Sequence, residues 1–198
     1  AQLLAEDTRG GEAGRLVGII ENNVHRLDQL VTEVLTLNRR DRIEPVEFDA
    51  AALAALLREL AEAEDIPASS LRFALDPRAR FRFDPDHLRR ILWNLLRNAW
   101  RAAQRQPGCI VVELVEIPGK VRLTLTDNGL GIAPENLPKL FEPFFTTEAQ
   151  GTGLGLYLAR ELAEANGASL RYVPRAVGAQ FSLTMRKEPG HAANDPAG

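Results

Sequence analysis

Asp127-Asn128-Gly129-Leu130-Gly131-Ile132 stands directly after a β-rich run, Val121 to Thr126. A carboxylate at a strand end can accept from an exocyclic amine, and the glycines beside it let backbone approach a flat ring closely. Taken alone, the segment is also an ordinary Asp-Asn-Gly turn. Farther on, Phe141-Glu142-Pro143-Phe144-Phe145-Thr146-Thr147 leads into Gly151-Thr152-Gly153-Leu154-Gly155-Leu156, which opens a helix. Glycines at alternate positions free several backbone amides, and a helix N-terminus favours phosphate. Taken alone, this too fits a hinge that holds no ligand. The spacing is neither a Walker loop nor a G-x-G-x-x-G dinucleotide fingerprint, and no H-R-D or D-F-G kinase motif occurs.

Working outward, Asp84-Pro85 is a strong helix start, with Asp84 as cap and Pro85 in the first turn. The helix is expected to run to about Gln104, burying Leu88, Ile91, Leu92, Leu95, Ala99 and Ala102. Asn94, Asn98 and Arg101 lie three and four apart on a neighbouring strip. Asparagine is a mediocre helix former, and amide oxygens can ligate a hard cation such as Mg2+. For this helix alone, a solvated polar edge is the better reading. Trp93 and Trp100 share another face, which either packs in the core or docks on a neighbouring helical unit.

Val46 to Phe48 and Leu71 to Leu75 alternate as strands do, with an alanine-rich helix, Ala50 to Ala63, between them. Ile110 to Ile117 and Val121 to Thr126 flank a hairpin turn at Pro118-Gly119-Lys120. A further helix is expected over Gly153 to Ala165, and strands over Ser169 to Val173 and Gln180 to Met185. The fold class is α+β.

The N-terminal stretch has another texture. Arg15 to Arg40 holds no proline, and Val17, Ile20, Val24, Leu27, Val31 and Val34 form a heptad seam. Leu16, Leu30 and Leu37 widen it beyond a two-stranded seam, which suggests a helical bundle. Ala1 to Ala5 reads as the end of an earlier helix and Asp7 to Gly11 as the loop between. The expected organisation is therefore a partial helical hairpin over residues 1–43, an α/β domain over 44–187 and an unstructured tail over 188–198.

The 198 residues are 45% hydrophobic and 26% charged, with a formal net charge of -3. That excludes wholesale disorder and argues against bulk nucleic-acid binding. No apolar run approaches the roughly 18 residues of a membrane-spanning helix, so the chain itself is expected to be soluble. One cysteine, Cys109, rules out an internal disulfide and a cysteine-rich zinc site. Composition points to a cytoplasmic globular protein.

Each motif is ambiguous by itself, but their order is not. Leu95-Leu96-Arg97-Asn98-Ala99, then DNGLGI, FEPFFTT and GTGLGL, resemble the N, G1, F and G2 boxes of sensor histidine kinases. That ATP-binding domain is shared with gyrase, the Hsp90 chaperone and the MutL repair protein. The segment Arg26 to Arg39 is similar to the second helix of the kinase dimerisation hairpin. The resemblance implies a two-layer α/β sandwich, a mixed sheet covered by helices, preceded by that hairpin. It implies ATP and Mg2+ as ligands. Asp127 would accept the adenine amino group, with Gly129, Gly131 and Ile132 shaping the pocket. Asn98 and Asn94 would hold Mg2+, and Arg101 would reach phosphate. Phe144, Phe145, Thr146 and Thr147 would begin a lid running to Gln150. Gly151, Thr152, Gly153, Leu154, Gly155 and Leu156 would line the triphosphate.

The implied reaction is γ-phosphoryl transfer to a histidine and then to an aspartate of a response regulator. Hydrolysing members of the superfamily carry a glutamate where this chain has Asn94, which favours transfer to imidazole over attack by water. None of His25, His87 and His191 stands in the His-Glu/Asp-x-x-x-Pro acceptor box, so the acceptor is expected upstream of Ala1 and this chain is expected not to autophosphorylate. The short lid and Gly155 to Leu162 look like the nitrogen-regulation class, and within it the kinases that control pilin transcription in type IV pilus systems. That implies a sigma-54-dependent activator as partner, a homodimer through the hairpin and a parent protein in the inner membrane. Two residues depart from the class pattern: Glu148 replaces a common lysine, and Gln180 a common threonine.

Overall fold

The structure, a computed structural model, describes Val17, Gly18, Val24, residues 42–148 and residues 151–187. Val17, Gly18 and Val24 are helical, and the two valines are exposed. The rest of the expected hairpin, His25, the lid residues 149 and 150, and the tail with His191 lie outside the described residues.

Strand β1 (Val46–Asp49) passes straight into helix α1 (Ala50–Ala63), because Asp49 caps it: its carboxylate accepts from Ala52 N–H at 2.8 Å. Strands β2 (Leu71–Leu75) and β3 (Arg80–Phe83) follow. Next come helix α2 (Pro85–Ala102), strands β4 (Ile110–Ile117) and β5 (Lys120–Asp127), and helix α3 (Gly155–Ala165). Strands β6 (Ser169–Val173) and β7 (Gln180–Arg186) close the fold.

Five strands form one mixed sheet in the order β2-β4-β5-β7-β6, with only β2 and β4 parallel. The register places like with like. Phe73 opposes Val112, which opposes Leu125, which opposes Phe181, which opposes Tyr172. Side chains alternate across a strand, so this row and its neighbours make one continuous apolar face. The helices cover it, supplying Leu53, Leu57, Leu88, Ile91, Leu92, Leu158 and Leu162 to the core. The other face carries polar pairs, such as Thr124 with Glu113 and Gln180 with Thr126. A two-layer sandwich follows from that one-sided pattern.

Two features differ from the sequence expectation. The segment Arg80–Phe83 is a strand that pairs antiparallel with β1, and Phe48 stacks on Phe81 at 5.6 Å. It closes one end of the core, with Phe81 and Phe83 fully buried. In α2, Ala102 is exposed and Leu96 is buried. The helix ends at Ala102, and Ala103 turns extended, so Ala103 is the methyl that enters the core.

The register of α2 is fixed at its first turn. Asp84 Oδ1 accepts from the N–H groups of Asp86 and His87, both at 3.0 Å, and Oδ2 accepts from Glu44 N–H at 2.9 Å. Burial opposes charge on this carboxyl, but the three donors outweigh it and hold it below the usual carboxylate range. Asn166, just after α3, accepts from Asp84 N–H and donates Nδ2 to His87 Nδ1 at 2.9 Å, locking the start of α2 to the end of α3.

Candidate functional site

Between α2, the end of β5 and the segments leading into α3 lies a cavity of about 410 Å³. Each wall traces to a local cause. Asp127 is the last residue of β5 and lies on the same face as Leu125, so its carboxylate sits beneath the helical layer, 5% exposed. Oδ1 accepts from Gly129 N–H at 2.9 Å and Ala179 N–H at 3.1 Å. Asp127 lines the cavity, and no described residue donates a hydrogen bond to its Oδ2. Burial pushes this carboxyl above its ordinary range despite the backbone donors. A buried acceptor oxygen held there without a donor is suited to receive one from a ligand.

The strip Asn94, Asn98 and Arg101 faces the cavity together, as its spacing requires. Asn94 is 6% exposed, and its Nδ2 donates to Arg90 O at 2.9 Å. That bond turns Oδ1 toward the start of α3, where a methyl added to Gly155 would meet it at 2.5 Å. Neither that oxygen nor the Asn98 amide has a donor among the described residues. Two unpaired amide oxygens on a wall that also carries Arg97 and Arg101 suit Mg2+ bound together with phosphate. Among the described residues there is no cluster of three His, Cys, Asp or Glu that could hold a metal by itself.

The third wall is the loop before α3. Phe144 adopts a left-handed backbone, φ 65°, and the residue is 69% exposed. Gly153, at φ 72°, lies directly against the Phe144 backbone and leaves no room for a methyl. Arg101 Nη1 donates to Glu148 Oε2 at 2.8 Å, tying this loop to α2.

Of the residues expected at the site, Asn94, Asn98, Arg101, Asp127, Gly131, Ile132, Phe145, Thr146, Thr147, Gly151, Thr152, Gly153, Gly155 and Leu156 line the cavity. Three do not. Gly129 lies behind Asp127 and against the Ala102 carbonyl, Phe144 points outward, and Leu154 is buried at the start of α3. The last helix also starts at Gly155, not Gly153, because Gly153 is spent on the left-handed turn. The reading missed Arg97, Asn136 and Ala179 on the wall, and Gly178 beneath it. Arg97 carried a signal: it lies three residues after Asn94 and four before Arg101, at the same helical spacing. Gly178 carried none, since its need arises from lying against the Asp127 carbonyl across the sheet.

The pattern of the family described as "Histidine kinase-, DNA gyrase B-, and HSP90-like ATPase" matches residues 83–189. The chain belongs to this family. It is 36% identical to the sensor histidine kinase ZraS of Salmonella typhi, over 93% of this chain and 41% of that protein. It is equally identical to the sensor protein kinase PilS of Pseudomonas aeruginosa, over 90% of this chain and 35% of that one. The chain thus spans about two fifths of the curated relatives it matches. Among solved structures it resembles the histidine kinase ThkA in complex with the response regulator protein TrrA. There the TM-score is 0.69 and the identity 27%, over 91% of this chain and 53% of that one. The family's α/β sandwich is the fold described above, and its catalytic domain is of the sensor histidine kinase type.

Proposed function

We propose that the cavity binds ATP with Mg2+ and presents the γ-phosphoryl group to a histidine, from which it passes to an aspartate of a response regulator. The observation that carries this reading is the unpaired Oδ2 of Asp127, a buried acceptor on an otherwise satisfied carboxylate. It would accept from the adenine amino group, while Gly131 and Ile132 lie along the ring. Asn98 and Asn94 would hold Mg2+, which neutralises charge on the phosphates, and Arg101 would reach a phosphate oxygen. Thr146, Thr147 and residues 151–156 would close over the triphosphate, with the free amides at the start of α3 aimed at it.

Transfer to imidazole is favoured over hydrolysis by the wall itself. Asp127 and Glu148 are the only carboxylates lining the cavity among the described residues, and Glu148 is paired with Arg101. No carboxylate stands at residue 94 to activate water. Residues 44–187 are the nucleotide domain in this reading, and residues 1–43 part of a hairpin through which two chains dimerise. His87 is no acceptor, being 5% exposed and held by Asn166. The chain by itself does not autophosphorylate. We propose further that the response regulator is a sigma-54-dependent activator of pilin transcription and that the parent protein is attached to the inner membrane; the short lid and Gly155 to Leu162, which resemble that class of kinase, and 36% identity to PilS over 191 residues speak for it. Phosphotransfer from a full-length parent kinase to such an activator, against a panel of other regulators, tests that assignment.

The central reading is tested by calorimetric titration of ATP and ADP with and without Mg2+. Wild-type chain binds both, and Asn98→Ala loses the Mg2+-dependent part of the affinity. Binding of equal strength with and without Mg2+ in both proteins would remove the metal from the account.

A further inference from the structure

Glu148 is an anion delivered to the cationic side of the cavity. Its Oε2 accepts from Arg101 Nη1 at 2.8 Å, and Arg101 follows Asn94 and Asn98 on the strip assigned to metal and phosphate. The Glu148 backbone is held on both sides of the peptide. Glu148 N–H donates to Thr146 Oγ1 at 3.1 Å, that hydroxyl donates back to Glu148 O at 3.4 Å, and Gly151 N–H donates to the same carbonyl at 3.2 Å. A methyl added to Gly151 would strike the Thr146 hydroxyl, so Thr146 and Gly151 pack closely beside Glu148. Of the two guanidinium groups on the cavity wall, Arg97 lies over the Trp93 ring and 3.9 Å from Glu64, while Arg101 is held by Glu148.

We propose that Glu148 is a built-in competitor for the phosphate chain. Its ion pair with Arg101 holds the loop before α3 against α2 when no nucleotide is bound, and nucleotide phosphates must take Arg101 from it. The inference rests on the nucleotide reading above and adds a residue that lowers affinity. The pair suits exchange because it is only partly shielded: the Arg101 and Glu148 side chains are 36% and 48% exposed. Such pairs are weak and screened, so a polyphosphate carrying several charges can displace the carboxylate. Once displaced, Glu148 remains a like charge beside the phosphates, which adds to the penalty.

The test is a double-mutant cycle on ATP affinity, with Asp127→Asn as a fifth protein. Glu148→Gln is expected to bind ATP about threefold to tenfold tighter than wild type, and Arg101→Gln about as much weaker. In the Arg101→Gln background the gain from Glu148→Gln should shrink to about half or less on a logarithmic scale. Unchanged or weaker binding by Glu148→Gln overturns the competitor. The same gain in both backgrounds also overturns it, since the residue would then act only through its charge. If wild type fails to bind ATP, or Asp127→Asn binds it equally well, the nucleotide reading itself falls and takes this inference with it. An intact Asp127 dependence with no Glu148 effect removes the inference alone.

Discussion

At the scale of single residues, the site works by leaving chosen polar atoms unsatisfied. Asp127 commits Oδ1 to two backbone donors and leaves Oδ2 without one, at a residue that lines the cavity. In Asp127→Asn the amide oxygen must take the place of Oδ1, because that position faces two N–H groups. The amide nitrogen then faces the cavity, donor against donor, toward an adenine amine. ATP affinity is expected to fall by about 10- to 100-fold, a loss of about 1.4 to 2.7 kcal/mol. Burial already raises this carboxyl's pKa in the folded chain, so ionisation costs stability as pH rises through that raised value. The substitution removes that cost, and the thermal midpoint of the unliganded variant at neutral pH should match or exceed wild type. A lowered midpoint would mean that Asp127 is structural. In the same way, Gly155→Ala places a methyl 2.5 Å from Asn94 Oδ1. It should weaken Mg2+-dependent binding in calorimetry while leaving the helical circular dichroism intact.

At the scale of elements, α2 is both scaffold and wall, so its anchoring matters for function. Removing the cap with Asp84→Ala should cost about 0.5–2 kcal/mol in chemical denaturation. Three donors lose their acceptor, so the upper end is expected. The contact between the start of α2 and the end of α3 also carries a pH signature. His87 Nδ1 accepts from Asn166, and burial holds the ring's pKa below its ordinary 6.5. The unfolded chain therefore takes up this proton first as pH falls. Stability from this group is complete above about pH 6.5 and is lost on acidification toward the lowered folded value, at no more than about 1.4 kcal/mol per pH unit. In denaturation midpoints measured from pH 7.5 to 5, His87→Gln should flatten part of the decline; an identical slope would remove His87 from the cause.

The elements were legible where local chemistry alone selects them. Ala50–Ala63 was an alanine-rich run of good helix formers, and Ile110–Ile117 a β-rich run beside a Pro-Gly turn. The strand Arg80–Phe83 was missed because four residues between Pro77 and Asp84 are too few to carry a pattern. Its partner β1 lies across α1 and β2, so only tertiary pairing makes it a strand. The site was legible in its motifs but not in its interlocks. Gly178 against Asp127, and Gly153 against Phe144, are contacts between segments that no local spacing announces.

At the scale of the whole molecule, the sheet presents one apolar face, the helices cover it, and the ligand cavity opens where that cover is interrupted at the end of β5. No described helix is long and apolar enough to cross a membrane. The chain spans part of its curated relatives, and its histidines lie outside any acceptor box. Incubated with labelled ATP and Mg2+, it should therefore acquire no acid-labile, base-stable phosphate. Stable phosphohistidine on the chain would contradict that.

The central claim is that a buried, half-satisfied carboxylate reads the exocyclic amine of adenine. The most direct measurement compares ATP with inosine triphosphate, which differs by an oxygen in place of that amine. Wild-type chain should bind ATP at least about tenfold tighter, because the oxygen meets Asp127 acceptor against acceptor, and Asp127→Asn should lose most of the preference. Equal affinity for the two nucleotides in wild type would contradict the account.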